Sequence, residues 1–160
     1  MEYKWGCNLV LTRRTSILFT ITVIVVSFGA LYYFNGPVSL NEEVLNVFLV
    51  YSVTVLLFPF VSVPFIYDAL SKISPMVKGK DNVDALRSLF KDYLDGCFLV
   101  SFLAFTEIVF ILVYLFTCSK YSGYLGIGLV SLVIAITLLL FALLKGLWRI
   151  WGIVGSDIIS

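Results

Sequence analysis

Four long runs of apolar residues, divided by polar stretches of unequal length, organise the chain. They fall at about 16–34, 44–67, 97–117 and 124–145. Each is near the ~20 residues a helix needs to cross a hydrocarbon core ~30 Å thick at ~1.5 Å per residue. Four such runs cannot all be buried by the little chain that remains. The pattern therefore predicts an all-α polytopic membrane protein with four transmembrane helices. These form two antiparallel hairpins in a single integral membrane domain, 1–160. The first run exceeds the 7–15 apolar residues typical of a secretory signal and lacks a clear small-x-small cleavage site, so it reads as a retained helix.

The connector 68–96 is the one sizeable polar segment. Its first part, SKISPMVKGKDN, carries the breakers Pro75 and Gly79 and reads as a linker. Its second part, 83–95, reads as an amphipathic helix between spans two and three, with Asp81 or Asn82 as its N-cap. Val83, Leu86, Leu89, Phe90, Tyr93 and Leu94 form the apolar stripe. Asp84, Arg87, Ser88, Lys91 and Asp95 lie opposite, with Asp84–Arg87 and Arg87–Asp95 balancing charge locally. Gly96 allows a bend where this helix meets the membrane. Such a helix can lie on the membrane, dock on a cytoplasmic partner or pack against its copy. Leu86, Arg87, Phe90, Lys91 and Leu94 are its candidate partner or oligomer contacts.

Charge then orients the spans. Of the 11 basic residues, Lys4, Arg13, Arg14, Lys72, Lys78, Lys80, Arg87, Lys91, Lys145 and Arg149 fall on one side and Lys120 on the other. By the positive-inside rule that side is cytoplasmic, with both termini on it, at the cell inner membrane. Trp5, Trp148, Arg149 and Trp151 are the expected interface anchors there, and Tyr32, Tyr33, Tyr121 and Tyr124 suit the opposite interface. The composition agrees: 61% of residues are hydrophobic and 13% charged, too few charges to cover a soluble surface of this size. A net charge of +1 excludes direct nucleic-acid binding. Histidine is absent, and Cys7, Cys97 and Cys118 form neither a metal cluster nor, lying on opposite faces, a disulfide across the membrane. They read as free thiols, with S-acylation of Cys7 or Cys97 as the alternative. No metal and no cofactor is expected.

Glu107 is the most informative residue. It is the one ionisable group near the middle of a span, where a charge costs ~2.5–3.5 kcal/mol on insertion scales. No Lys or Arg lies at its depth. Two arrangements satisfy it: a neutral carboxyl hydrogen-bonded between helices, or a carboxyl facing water in a cavity or around an oligomer axis. Thr22, Ser27, Ser52, Thr54 and Thr137 lie at mid-depth as partners, and Thr106 adjoins it in sequence. Glu107, Thr106 and Thr54 make up the expected intramembrane polar site. Span two carries Pro59 and Pro64, expected to kink the helix and to free the carbonyls of Val55 and Phe60. A protonated Glu107 is at the depth to donate to Val55. In span four Gly128, Ser131, Ala135 and Ala142 line one side, with Gly126 adjacent, and predict close helix packing.

These features favour a non-enzymatic, homo-oligomeric inner-membrane subunit that anchors or signals to a cytoplasmic protein partner. The sequence lacks a P-loop, a G-x-S-x-G elbow, an H-E-x-x-H motif and a Rossmann fingerprint. Two rivals stand beside that reading. One is an ion- or proton-conducting pore, or membrane-depolarising effector, built on Glu107; the other is an interfacial lipid enzyme. In span count and topology the chain resembles the small four-span membrane subunits of two-gene bacterial anti-phage systems such as Kiwa. That resemblance implies antiviral defence alongside a cytoplasmic partner, and it assigns no residue a role.

Overall fold

A computed structural model describes residues 13–73, 80–116 and 119–159. The anchor Trp5 and Cys7 therefore lie outside the described residues, as do Pro75, Gly79 and Cys118. The described chain is helical: α1 (Arg13–Asn35), α2 (Glu42–Ile73), α3 (Lys80–Phe116) and α4 (Ser119–Ile159). All four are long and apolar enough to cross a membrane, over Thr15–Asn35, Glu42–Lys72, Leu86–Phe116 and Ser122–Trp148. The protein is thus a multi-pass, all-α membrane protein.

The turn between α1 and α2 follows local chemistry. Gly36 adopts φ +65°, a left-handed conformation open to glycine, and its N–H donates to the Tyr32 carbonyl at 3.1 Å. That bond closes the α1 C-terminus in an αL motif. Asn41 then caps α2: its Oδ1 accepts from the Val44 N–H at 3.0 Å. Glu42 and Glu43 follow in the first turn, where the helix dipole favours negative charge.

The stretch 83–95 is helical, and it is continuous with span three as the first turns of α3. Gly96 does not break it. A mid-helix glycine costs ~1 kcal/mol against alanine, but here it admits α4: a Cβ at Gly96 would stand 2.5 Å from Leu143 Cδ2. α2 likewise runs unbroken through Pro59 and Pro64. At ~1.5 Å per residue, α3 is about 55 Å long and α4 about 60 Å, so both extend past a ~30 Å core.

Packing order differs from chain order. α3 packs against both α2 and α4, and α4 also receives α1, so the helices run α2–α3–α4–α1. The first hairpin reverses direction as its loop length requires, yet α1 and α2 share few contacts among the described residues. Their loop instead crosses the start of α4. The Val38 N–H donates to the Gly123 carbonyl at 3.2 Å, and the Tyr114 hydroxyl of α3 accepts from the Leu40 N–H at 2.8 Å. Tyr32 and Tyr124 stack at 6.1 Å and hold α1 to α4 at the same end. The crossing needs small residues. A Cβ at Gly123 would reach 3.2 Å from Pro37 Cα, and one at Gly126 would overlap the Val38 carbonyl oxygen.

Candidate functional site

The α2–α3 seam places Glu107. On α3, Leu86, Tyr93, Cys97, Val100, Ala104, Glu107, Ile111 and Tyr114 are all buried. After the first interval of seven they follow one another at alternating steps of three and four, the spacing of a coiled-coil seam. Glu107 therefore stands where an apolar seam residue would normally sit. It is 0% exposed, as is Ser52 of α2 on the facing helix.

Ser52 is close enough to influence the carboxyl, but its hydroxyl donates to the Phe48 carbonyl at 2.8 Å. Neither Glu107 oxygen has a hydrogen-bond partner. Buried polar groups are nearly always paired, so this pair of orphaned oxygens marks the spot as unusual. Beside this pair, the Tyr51 hydroxyl and Thr137 Oγ1 lie 2.8 Å apart and tie α2 to α4. Thr137 also donates to the Val133 carbonyl at 2.7 Å. The Tyr51–Thr137 bond and the Glu107–Ser52 pair make one polar layer across α2, α3 and α4 in an otherwise apolar bundle.

Several expected members of this layer lie elsewhere. Thr54 is exposed on α2 and donates to Val50; Thr106 donates to Phe102; Thr22 is exposed and donates to Leu18. Each hydroxyl bonds the carbonyl one turn back on its own helix, which satisfies it without a neighbour. The expected trio of Glu107, Thr106 and Thr54 is therefore replaced by Glu107, Ser52, Tyr51 and Thr137. Glu107 does not bond the Val55 carbonyl. Tyr51 was missed because its hydroxyl reads from sequence as one of many aromatic tips. The heptad spacing from Leu86 to Tyr114 was the available signal that Glu107 faces inward.

A second polar group lies one end of the seam away. Ser62, between Pro59 and Pro64, faces Tyr93 and Cys97 of α3. The Ser62 and Tyr93 hydroxyls, like Glu107, close no hydrogen bond. Pro59 is half-buried and Pro64 exposed, so the proline segment borders this group along α2.

The small residues of α4 pack within the chain. Ser131 and Ala135 are buried, Gly128 faces Phe110 of α3, and Ala142 lines a cleft described below. On the polar end of α3, Leu86 is buried against Leu70 and Leu89, and Phe90 packs against Tyr67 at 6.3 Å. These two are taken up by α2 and are not free for a partner. Arg87, Lys91 and Leu94 are exposed. The local pairs Asp84–Arg87 and Arg87–Asp95 do not form; the ion pair among the described residues is Lys72–Asp68 at 2.7 Å, on the surface. Arg87 and Asp95 are two helical turns apart, beyond the reach of one pair. Trp148 is 82% exposed, as an interface anchor would be. Arg149 and Trp151 continue α4, but their side chains lie outside the described residues. No group of three or more His, Cys, Asp or Glu residues able to hold a metal ion occurs among the described residues.

Compared with protein-family models, with curated proteins and with solved structures, the chain matches none.

Proposed function

We propose that the chain is a non-enzymatic, homo-oligomeric subunit of the cytoplasmic membrane. In this reading it holds a rigid helical platform on the cytoplasmic side for a protein partner. The observation that carries it is the continuity of α3 from Lys80 to Phe116. A helix without a break transmits position and tilt from the bilayer to its polar end. That end is braced by α2 through Leu86 and Phe90, while Arg87, Lys91 and Leu94 stay open. The shared layout with four-span subunits of two-gene anti-phage systems makes defence the setting for the partner, and the excess of basic residues supports the orientation.

Photo-crosslinking from Arg87 and Lys91 in native membranes tests it, with Phe60 on the lipid-facing side of α2 as control. Adducts to one cytoplasmic protein from the first two positions and none from Phe60 support the reading. Adducts to lipid alone at all three positions, with a monomeric particle in mild detergent, reject it.

A second reading is a proton- or ion-handling site at Glu107. Its support is the pair of carboxyl oxygens without partners at mid-membrane. Proton flux in liposomes decides: equal flux in the wild type and Glu107→Gln removes this reading.

A further inference from the structure

A cleft of about 530 Å³ opens between α1, α3 and α4 at the end where the basic residues gather. That volume lies within the ~300–1,000 Å³ range of small-molecule sites. Phe19 of α1 and Leu138, Leu139 and Leu143 of α4 give it apolar walls. Apolar walls of this kind favour hydrocarbon over water. The polar lining comes from five groups: Thr15 and Ser16 of α1, Asp92 and Tyr93 of α3, and Lys145 of α4, of which Asp92 and Lys145 carry charge.

Asp92 and Lys145 do not pair with each other. One Asp92 carboxylate oxygen is shut off from solvent and accepts no hydrogen bond. Lys145 is exposed. One cleft thus offers an acidic group in want of a donor, a free ammonium donor and a slot for an acyl chain. A phosphate ester carrying a primary ammonium complements all three. Its ammonium N–H donates to Asp92, Lys145 donates to its phosphate, and its chain runs along Leu139 and Leu143. A quaternary headgroup has no N–H to give, and an anionic headgroup without a cation leaves Asp92 unpaired and repelled.

We infer that the cleft between α1, α3 and α4 is a binding site for a membrane phospholipid with a primary ammonium headgroup, read by Asp92 and Lys145. This inference stands apart from the partner-platform reading and from Glu107.

The test is native mass spectrometry of the full chain. The protein is delipidated and returned to vesicles of phosphatidylethanolamine, phosphatidylcholine and phosphatidylglycerol in equal parts. The expected result is retention of phosphatidylethanolamine at least about fivefold over the other two. Gly146→Leu is the blocking variant: Gly146 lines the cleft, and a Cβ there meets nothing within 4 Å, so the new side chain enters open space. It should lose the retained lipid with its helical content intact. Asp92→Asn should lose the preference for phosphatidylethanolamine over phosphatidylcholine. Equal retention of the three lipids, a preference for phosphatidylglycerol, or unchanged retention in Gly146→Leu would each overturn the site. So would crosslinks that put residues 1–12 of the same chain in the cleft.

Discussion

At the residue scale, the energetics turn on one carboxyl. Glu107 sits at a seam position, fully buried, with neither oxygen bonded. A hydrogen-bonding group that forms no bond contributes nothing to hold the helices together, while its desolvation still costs ~1–3 kcal/mol. Replacing it with leucine, of similar volume, should therefore leave stability unchanged or raise it by about 1–3 kcal/mol. Glu107→Lys should lower it by at least ~2.5 kcal/mol, because lysine brings a charge to the same dry site. Thermal unfolding in detergent reads both. A clear loss of stability in Glu107→Leu would mean that the carboxyl has a partner, a bound water or ion, that holds the seam. Tyr51→Phe makes the opposite comparison. It removes the 2.8 Å contact with Thr137, an interhelical hydrogen bond worth about 0.6 kcal/mol on average in membrane proteins. A fall within ~0.5–2 kcal/mol in the same assay is expected, and no change would show that Thr137 is content with Val133.

At the scale of the elements, two glycines look alike in sequence and should behave differently. Gly96 faces the end of the Leu143 side chain, which can rotate away. The alanine in Gly96→Ala also improves helix propensity by ~1 kcal/mol. The two effects oppose, and Gly96→Ala should change stability by less than about 1 kcal/mol. Gly126 faces a backbone carbonyl, that of Val38 in the α1–α2 loop, and backbone cannot rotate out of the way. Gly126→Ala should push the loop off α4, loosen its bond to Gly123 and cost about 1–3 kcal/mol, the range for overpacking. Hydrogen exchange at the Val38 and Leu40 amides, bonded to Gly123 and Tyr114, reports this directly. Faster exchange in Gly126→Ala and none in Gly96→Ala is the expected pair; identical exchange in the two would mean the loop is not held by this crossing. Gly126 was legible in the sequence as a packing residue, but its partner was not. The spacing of small residues in span four says that something approaches closely and says nothing of what.

At the scale of the whole molecule, α1 is the helix that the sequence misplaces. Reading along the chain sets it beside α2, whereas its neighbours are α4 and, less extensively, α3. Paired cysteines at Tyr32 and Tyr124, whose rings stack at 6.1 Å, should therefore join through a short bifunctional reagent in intact membranes. A pair at mid-span positions of α1 and α2, such as Val25 and Val53, both exposed, should not. Efficient coupling of the second pair would restore the simple hairpin. The consequence reaches the cleft at the basic end, since α1 can wall it with Phe19 only by standing against α4.

The sequence by itself determined that the chain is an all-α membrane protein with four helices long and apolar enough to span the bilayer. Hydropathy acts along one dimension: each run must be long enough for the hydrocarbon, and each polar stretch must stay out of it. The heptad spacing of α3 even held the inward aim of Glu107. Only the tertiary structure decided which helices touch, that Ser52 and not Thr54 faces the carboxyl, and that a loop lies across Gly126. In lipid an outward leucine and an inward one are nearly equivalent, so the helices carry no strong apolar face to announce their neighbours. That choice falls to close fit and to a handful of polar contacts, which exist only once the helices have met.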